Sequence, residues 1–235
     1  MQFSNLVDSL VRAALPPRCT LCGTTTPGAL LCEPCAAELP WNTPCCPGCA
    51  LPTASGALCP ACAQAAEPYD AAFSALRFEG PVQRAVHGLK YSARFLNAAL
   101  LASLMAQPLK QRLGPLPQLL LPMPLARGRQ FKRGYNQAQQ LAAELGKALA
   151  IPVNTIAAKR LRTTEDQIGK SRRERQANVK GAFTLSADVT GQHIALVDDV
   201  MTTGATLAEL SRAARAAGAA RIEVWTAARA VLHQG

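Results

Sequence analysis

His193-Ile194-Ala195-Leu196-Val197-Asp198-Asp199-Val200-Met201-Thr202-Thr203-Gly204-Ala205-Thr206-Leu207 is the stretch whose reading decides the fold. Apolar residues run straight into two acids. A short turn of small and hydroxylated residues then leads into an Ala/Leu/Glu/Arg segment that reads as helix. A continuous apolar run is the pattern of a strand buried on both faces, as in a parallel sheet. The acids then stand at its carboxyl end, where open α/β sheets bind ligands. Thr202, Thr203, Gly204, Ala205 and Thr206 open the helix. A glycine there lets the backbone approach a ligand closely. The first-turn N–H groups, the helix dipole and the hydroxyls together make a phosphate cradle.

Two adjacent carboxylates accept hydrogen bonds from neighbouring hydroxyls or hold a hydrated Mg²⁺. A phosphate beside a vicinal diol describes a ribose 5-phosphate group. Val197 to Thr206, VDDVMTTGAT, resembles the phosphoribosyl pyrophosphate (PRPP) signature of type I phosphoribosyltransferases. The plain alternative is a strand–turn–helix whose acids only cap and solvate. The buried strand before the acids and the helix after them weigh against it.

A chain of 235 residues fits one large domain, or one domain and a small module. Aromatics are few, so the core is expected to be Leu, Val, Ile and Ala. The net charge of +10 is uneven: Arg127 to Lys180 holds thirteen Lys/Arg against four acids. Such a block faces something anionic, pyrophosphate or nucleic acid, unless it is simply a solvated basic face. No signal-peptide pattern opens the chain, and no apolar run is long enough to span a bilayer. Residues 1–17 read as an amphipathic packing helix, and membrane insertion is not expected.

Nine cysteines lie between Cys19 and Cys62 and none elsewhere. Eight form two copies of one pattern: Cys19, Cys22, Cys32 and Cys35, then Cys46, Cys49, Cys59 and Cys62, each 27 residues after its counterpart. Two CxxC pairs complete one closed tetrahedral zinc site, so two structural zinc ions are expected. Residues 18–68 are too poor in apolar residues to build a core unaided, and zinc supplies the staple. The symmetric spacing favours zinc over disulfides, redox chemistry and iron–sulfur ligation. Sequential sites, one per repeat, are expected, with a cross-braced arrangement as the alternative. Cys45 is out of register with the repeat.

Glu67-Pro68-Tyr69-Asp70 reads as a linker into the second domain, 69–235. Ala72–Phe78 reads as a strand, and Pro81–Leu113 as helices containing Lys90. Leu119-Leu120-Leu121-Pro122 is expected to be the first strand of the parallel sheet, breaking at a Pro-x-Pro turn. A basic loop through Arg129 and Arg133 leads into a helix from Tyr135 or Asn136 to about Ala150, with Leu141, Leu145 and Leu149 as its buried stripe. Ile151–Ile156 reads as the next strand. Residues 159–181 are polar and basic and read as either a functional lid or a disordered segment; as a lid they offer Arg172, Arg173 and Arg175 to pyrophosphate. Arg221–Ala228 closes the sheet.

Several pieces together resemble the ComF family of competence-associated proteins, the ComFC/GntX type. They are the cysteine repeats, Leu89-Lys90-Tyr91, Pro122-Met123-Pro124, Lys132-Arg133-Gly134-Tyr135-Asn136-Gln137, the lid pattern from Thr163 through Gln167, Arg172, Arg175 and Asn178 to Phe183, and the PRPP loop. Members often carry Phe at the place of Tyr135. The resemblance implies a type I phosphoribosyltransferase fold: a parallel α/β sheet with helices on both faces, behind a small double zinc-ribbon module. It also implies a cytoplasmic role in natural transformation or DNA uptake.

Two functional expectations follow. In the first, a phosphoribosyltransferase of unknown acceptor binds PRPP with Mg²⁺ and releases pyrophosphate. Asp198 and Asp199 take the ribose hydroxyls and the Mg²⁺ shell, and Thr202, Thr203, Gly204, Ala205 and Thr206 take the 5-phosphate. Lys90, Arg129, Arg133, Arg172, Arg173 and Arg175 take the pyrophosphate. In the second, the protein binds single-stranded DNA and DNA-uptake or recombination proteins without catalysis, and its PRPP site is regulatory or vestigial. The oligomeric state stays open, a homodimer included.

Overall fold

A computed structural model describes residues 18–231, apart from 27, 93, 126–127, 129–133, 162–178 and 187–188. Two short helices, α1 (Glu33–Ala37) and α2 (Pro60–Gln64), belong to the cysteine repeats. Each follows a cysteine at its N-cap and has a proline at one of its first two positions, where a missing N–H costs nothing. The larger unit then runs β1 (Ala71–Arg77), α3 (Gly80–Tyr91), α4 (Leu96–Gln111), β2 (Leu119–Pro122), α5 (Gln137–Leu149), β3 (Ala158–Arg160), β4 (Phe183–Leu185), β5 (His193–Met201), α6 (Ala205–Ala216) and β6 (Arg221–Arg229).

Strands β1, β6, β5 and β2 form one parallel sheet in that spatial order. The central pair is apolar on both faces. Ala195 and Val197 of β5 pack into one core with Leu76, Leu89, Met105, Leu141, Leu145 and Trp225, which covers that face with α3, α4 and α5. Ile194 and Leu196 turn the other way and pack with Ile222, Val224, Leu207, Leu210 and Phe183, beneath α6 and the antiparallel β3–β4 pair. This doubly covered parallel sheet is what the continuous apolar runs require.

Two strand readings are corrected. β2 is not the first strand of the sheet, because β1 precedes it and pairs parallel with β6. Ile151–Ile156 is not a strand: it contributes one parallel bridge, Val153 to Leu120, held by Leu120 N–H to the Pro152 carbonyl and Asn154 N–H to the Leu120 carbonyl. The segment is pressed against α5, where a Cβ on Gly146 would lie 2.6 Å from Val153 Cγ2 and 2.7 Å from the Ile151 carbonyl oxygen.

The sheet edge at β1 is covered by the cysteine module. Ala72 N–H donates to Pro47, Asn42 N–H to Ala75, and Arg77 N–H to Pro40, while Trp41 bridges Leu76 antiparallel. An open edge strand would otherwise invite pairing with another chain. Tyr69 and Asp70 are no slack linker either. Tyr69 is buried, and Asp70 accepts hydrogen bonds from Ile222 N–H at 2.7 Å and Arg215 at 2.8 Å.

At the amino ends of the central strands, buried Glu223 accepts two hydrogen bonds from Arg112, at 2.5 and 2.8 Å, and one from Trp225 Nε1 at 2.9 Å. His193 and Arg221 stand within 3.1 and 3.2 Å of the same carboxylate. This network ties α4 to the sheet at the end away from the acids.

Candidate functional site

The carboxyl end of β5 carries the acids. The Asp199 side chain is almost wholly buried, and Lys90 of α3 reaches it with Nζ 3.1 Å from Oδ2. Asp198 Oδ1 accepts from the Asp199 N–H at 2.9 Å. Burial pushes the Asp198 carboxyl up to about 7, and the neighbouring Asp199 charge adds to the rise. The cations Lys90 and Arg160, and the Asp199 amide, act in the opposite direction. The Asp198 carboxyl is therefore about half ionised near neutral pH, and a cationic ligand would complete its ionisation.

Beyond Met201 the chain turns at Gly204, whose φ of +77° and ψ of −5° belong to the left-handed region. A Cβ there would lie 2.8 Å from Met201 Cε. Thr202, Thr203 and Thr206 are half-buried around this turn, and Ala205 starts α6 with its N–H 3.4 Å from Thr203 Oγ1. The amino end of α6 and its hydroxyls thus open directly after the acids, an arrangement suited to an anion.

Three further pieces surround the pair. Asn136 caps α5 by accepting from Ala138 N–H at 3.0 Å and donates to the Met123 carbonyl at 2.9 Å, which fixes the Pro-x-Pro turn after β2. Tyr135 donates to the Leu89 carbonyl, next to Lys90, and meets the Phe95 ring edge-on at 5.1 Å. Arg160, closing β3, stacks over Phe183 at 5.4 Å. Of the residues expected at the site, Lys90, Asp198, Asp199 and Thr202 to Thr206 are brought together. Arg129, Arg133, Arg172, Arg173 and Arg175, with most of the 159–181 lid and the 1–17 helix, lie outside the described residues.

Sequence reasoning missed Arg229. It is 4 % exposed and donates from Nε to the Cys49 carbonyl at 2.9 Å. Its Nη1 donates to Met201 at 2.9 Å and Ala230 at 2.8 Å, and also to the Thr202 carbonyl. The one available signal was a charge closing an apolar strand. Such a charge must find acceptors if it is buried.

The eight repeat cysteines gather as two sequential clusters, 19/22/32/35 and 46/49/59/62, with the sulfurs of each within 4.8 Å of one another. The Cys22–Cys32 and Cys49–Cys59 sulfurs are each 3.6 Å apart. A tetrahedron with zinc–sulfur bonds of about 2.3 Å has edges of about 3.8 Å, so both clusters fit closed structural zinc sites. Burial alone would raise the Cys19 thiol, but the amides of Cys22, Cys32 and Leu21 outweigh it and bring it to about 6. Cys46, its counterpart in the second repeat, is lowered to about 7 by the Cys59, Cys49 and Gly48 amides against the same burial. Cys45 lies outside both clusters, and burial raises its thiol.

Residues 10–63 match the double zinc ribbon domain family, and residues 132–231 match the phosphoribosyl transferase domain family. DNA utilization protein YhgH of Salmonella typhi is 34 % identical over 224 residues, covering 92 % of this chain and 98 % of that protein. Competence protein F of Haemophilus influenzae is 43 % identical over 118 residues, 49 % of this chain and 52 % of that one. The chain belongs to the ComF family. Its fold is that of a type I phosphoribosyltransferase behind a double zinc ribbon. Among solved structures, it is similar to the glutamine PRPP amidotransferase of B. subtilis. That match has 18 % identity and a TM-score of 0.38, over 55 % of this chain and 26 % of that one. Among the described residues, no helix is long and apolar enough to cross a membrane.

Proposed function

We propose that this ComF protein binds PRPP with Mg²⁺ and transfers its phosphoribosyl group with release of pyrophosphate, in the service of DNA utilization. One observation carries the reading: the acid pair, with Lys90 on Asp199, is followed at once by a Gly204-centred turn that opens α6. The Thr202–Thr206 turn takes the 5-phosphate, through amide and hydroxyl donors. Asp198 and Asp199 take the ribose hydroxyls, and their hard oxygens also suit the water shell of a Mg²⁺ ion. Lys90 and the basic segments take the pyrophosphate. Catalysis in this reading is electrostatic: cations stabilise the departing pyrophosphate while the carboxylates face the electron-poor ribose carbon. The zinc ribbons brace the β1 edge. The names of the relatives support a task in handling DNA.

Calorimetric titration with PRPP, with and without Mg²⁺, tests the reading. Binding that needs Mg²⁺ and vanishes in the Asp198→Asn/Asp199→Asn protein is expected, and no heat at millimolar PRPP would reject it.

A second reading, single-stranded DNA binding without turnover, is favoured by exposed aromatics beside Lys90. Tyr91 is 68 % exposed and Phe95 47 %. Bases stack on such rings in a sequence-tolerant way. An oligothymidylate titration of Tyr91→Ala/Phe95→Ala protein separates the two: DNA affinity falls while PRPP affinity stays.

A further inference from the structure

We infer that the second zinc site and the Thr202–Thr206 turn are one mechanical unit joined by Arg229, so that metal in that site sets the turn's affinity for phosphate. The inference rests in part on the PRPP reading, but its geometry stands apart from it.

Arg229 ends β6 opposite Met201, the last residue of β5. Its guanidinium spans two loops. On one side Nε meets the carbonyl of Cys49, a ligand position of the second cluster, at 2.9 Å. On the other, Nη1 meets the carbonyls of Met201 and Thr202, where the turn begins. A buried guanidinium needs acceptors on every side, and losing one leaves a charged donor unpaired. The position of the Cys49 carbonyl therefore bears on how firmly Met201 and Thr202 are held.

Tyr69 fills the space between the same two loops. It is 5 % exposed, and its hydroxyl has no hydrogen-bond partner among the described residues. That hydroxyl lies 3.7 Å from where a Cβ on Gly204 would stand. Ala50, fully buried, joins Tyr69 and Met201 in one apolar cluster. The second ribbon is pinned on both sides of Cys49: Pro47 accepts from Ala72 N–H at 2.9 Å, and Ala50 accepts from Asn42 Nδ2 at 2.9 Å.

Among the described residues, no cysteine-loop carbonyl of the first ribbon accepts from Arg229. Among the described residues, its leucines, Leu21, Leu30 and Leu31, pack on the opposite core, which holds α3, α4 and α5. The two metal sites are equal by sequence but unequal by position. Emptying the second frees the knuckle at Cys46–Cys49, removes an acceptor from Arg229 and loosens the turn. Emptying the first leaves the turn as it was.

Coupling of this kind is reciprocal: if metal favours phosphate binding, phosphate binding must retain metal. The test compares Cys35→Ser and Cys62→Ser, which occupy equivalent places in the two repeats, with Arg229→Lys and Arg229→Met, all in the full chain loaded with zinc. Zinc content is measured for each. Hydrogen exchange of residues 201–207 is read first, without ligand. Faster exchange is expected in Cys62→Ser and Arg229→Met, and wild-type exchange in Cys35→Ser, with Arg229→Lys between.

Zinc transfer to 4-(2-pyridylazo)resorcinol is then followed with and without Mg²⁺ and PRPP. Saturating PRPP is expected to slow one of two release phases several-fold in wild type and neither in Arg229→Met, which still carries two zinc ions. Equal exchange in Cys62→Ser and Cys35→Ser, or undiminished protection by PRPP in Arg229→Met, overturns the inference. If PRPP does not bind wild type, the functional reading fails, and the exchange comparison alone decides the mechanical link.

Discussion

Asp198→Asn should stabilise this protein, and the gain should depend on pH. In the folded chain the Asp198 carboxyl is raised from 3.8 to about 7, by burial first and by Asp199 second. The unfolded chain gives up the same proton near an ordinary Asp value of about 3.9. Stability from this group is therefore complete below about pH 4 and is lost as pH rises to about 7, where the folded state ionises as well. Asp198 is half-buried, so solvent screens part of this penalty; at about 1.4 kcal/mol per pH unit the loss is at most about 4 kcal/mol at pH 8 and about 1.5 kcal/mol at pH 5. Asparagine keeps an oxygen for the Asp199 N–H at 2.9 Å but carries no charge. Urea denaturation of both proteins at each pH gives the difference directly, and zinc loss in acid cancels between them. The expected advantage of Asp198→Asn grows by about 2–3 kcal/mol from pH 5 to pH 8. An advantage that is flat across that range, or a loss at pH 8, would falsify the account of a carboxylate held against its own charge for the sake of a ligand.

Gly204→Ala puts a Cβ on a φ of +77° and against Met201 Cε, and should cost about 1–3 kcal/mol in a urea titration; an unchanged midpoint means the turn relaxes freely. Arg112→Met removes the bidentate partner of buried Glu223 and should cost about 3–5 kcal/mol at pH 7. Burial raises Glu223 but Arg112 outweighs it and holds the carboxyl below its usual value, so its contribution is present above the unfolded value of 4.5 and lost in acid. The wild-type acid transition should therefore lie below that of Arg112→Met, and coincident transitions would contradict the network. Metal analysis should give two zinc ions per chain for wild type and for Cys45→Ser, and one for Cys22→Ser; a Cys45→Ser protein with one zinc ion would make Cys45 a ligand.

What was legible in the sequence shares a physical cause. β5, its acids, Gly204 and α6 are local: each signal sits within a few residues of the next, and the fully buried run Ile194–Val197 has no polar residue to confuse the pattern. The cysteine ligands were legible because an exact 27-residue register repeats the whole knuckle. What escaped depends on packing partners that the local pattern does not reveal. Ile151–Ile156 has strand propensity, but Pro152 and the close approach to Gly146 leave it one bridge. Glu67–Asp70 has the composition of a linker, and nothing in it announces that Ile222 and Arg215 wait for Asp70. Arg229 is the extreme case, because its acceptors come from residues 49, 201 and 202, and only the folded chain brings them together.

The same dependence governs the site's charge. The signature supplies both acids, but the cation that makes them tolerable comes from α3, about a hundred residues earlier. Lys90 is held by two things outside the signature: α3's buried face, through Val86 and Leu89, and Tyr135, which bonds the Leu89 carbonyl at the helix's last turn. Tyr135 belongs to the Gly134–Gln137 motif, and its neighbour Asn136 fixes both α5 and the turn after β2. Read alone, that motif is an anion loop ahead of a helix. In the fold, its described half is a clamp that sets where Lys90 and the β2 turn stand relative to Asp199. A protein that kept the acids and lost the clamp would keep the signature and lose the electrostatics, because an acid pair of this burial is stable only with its cation in place.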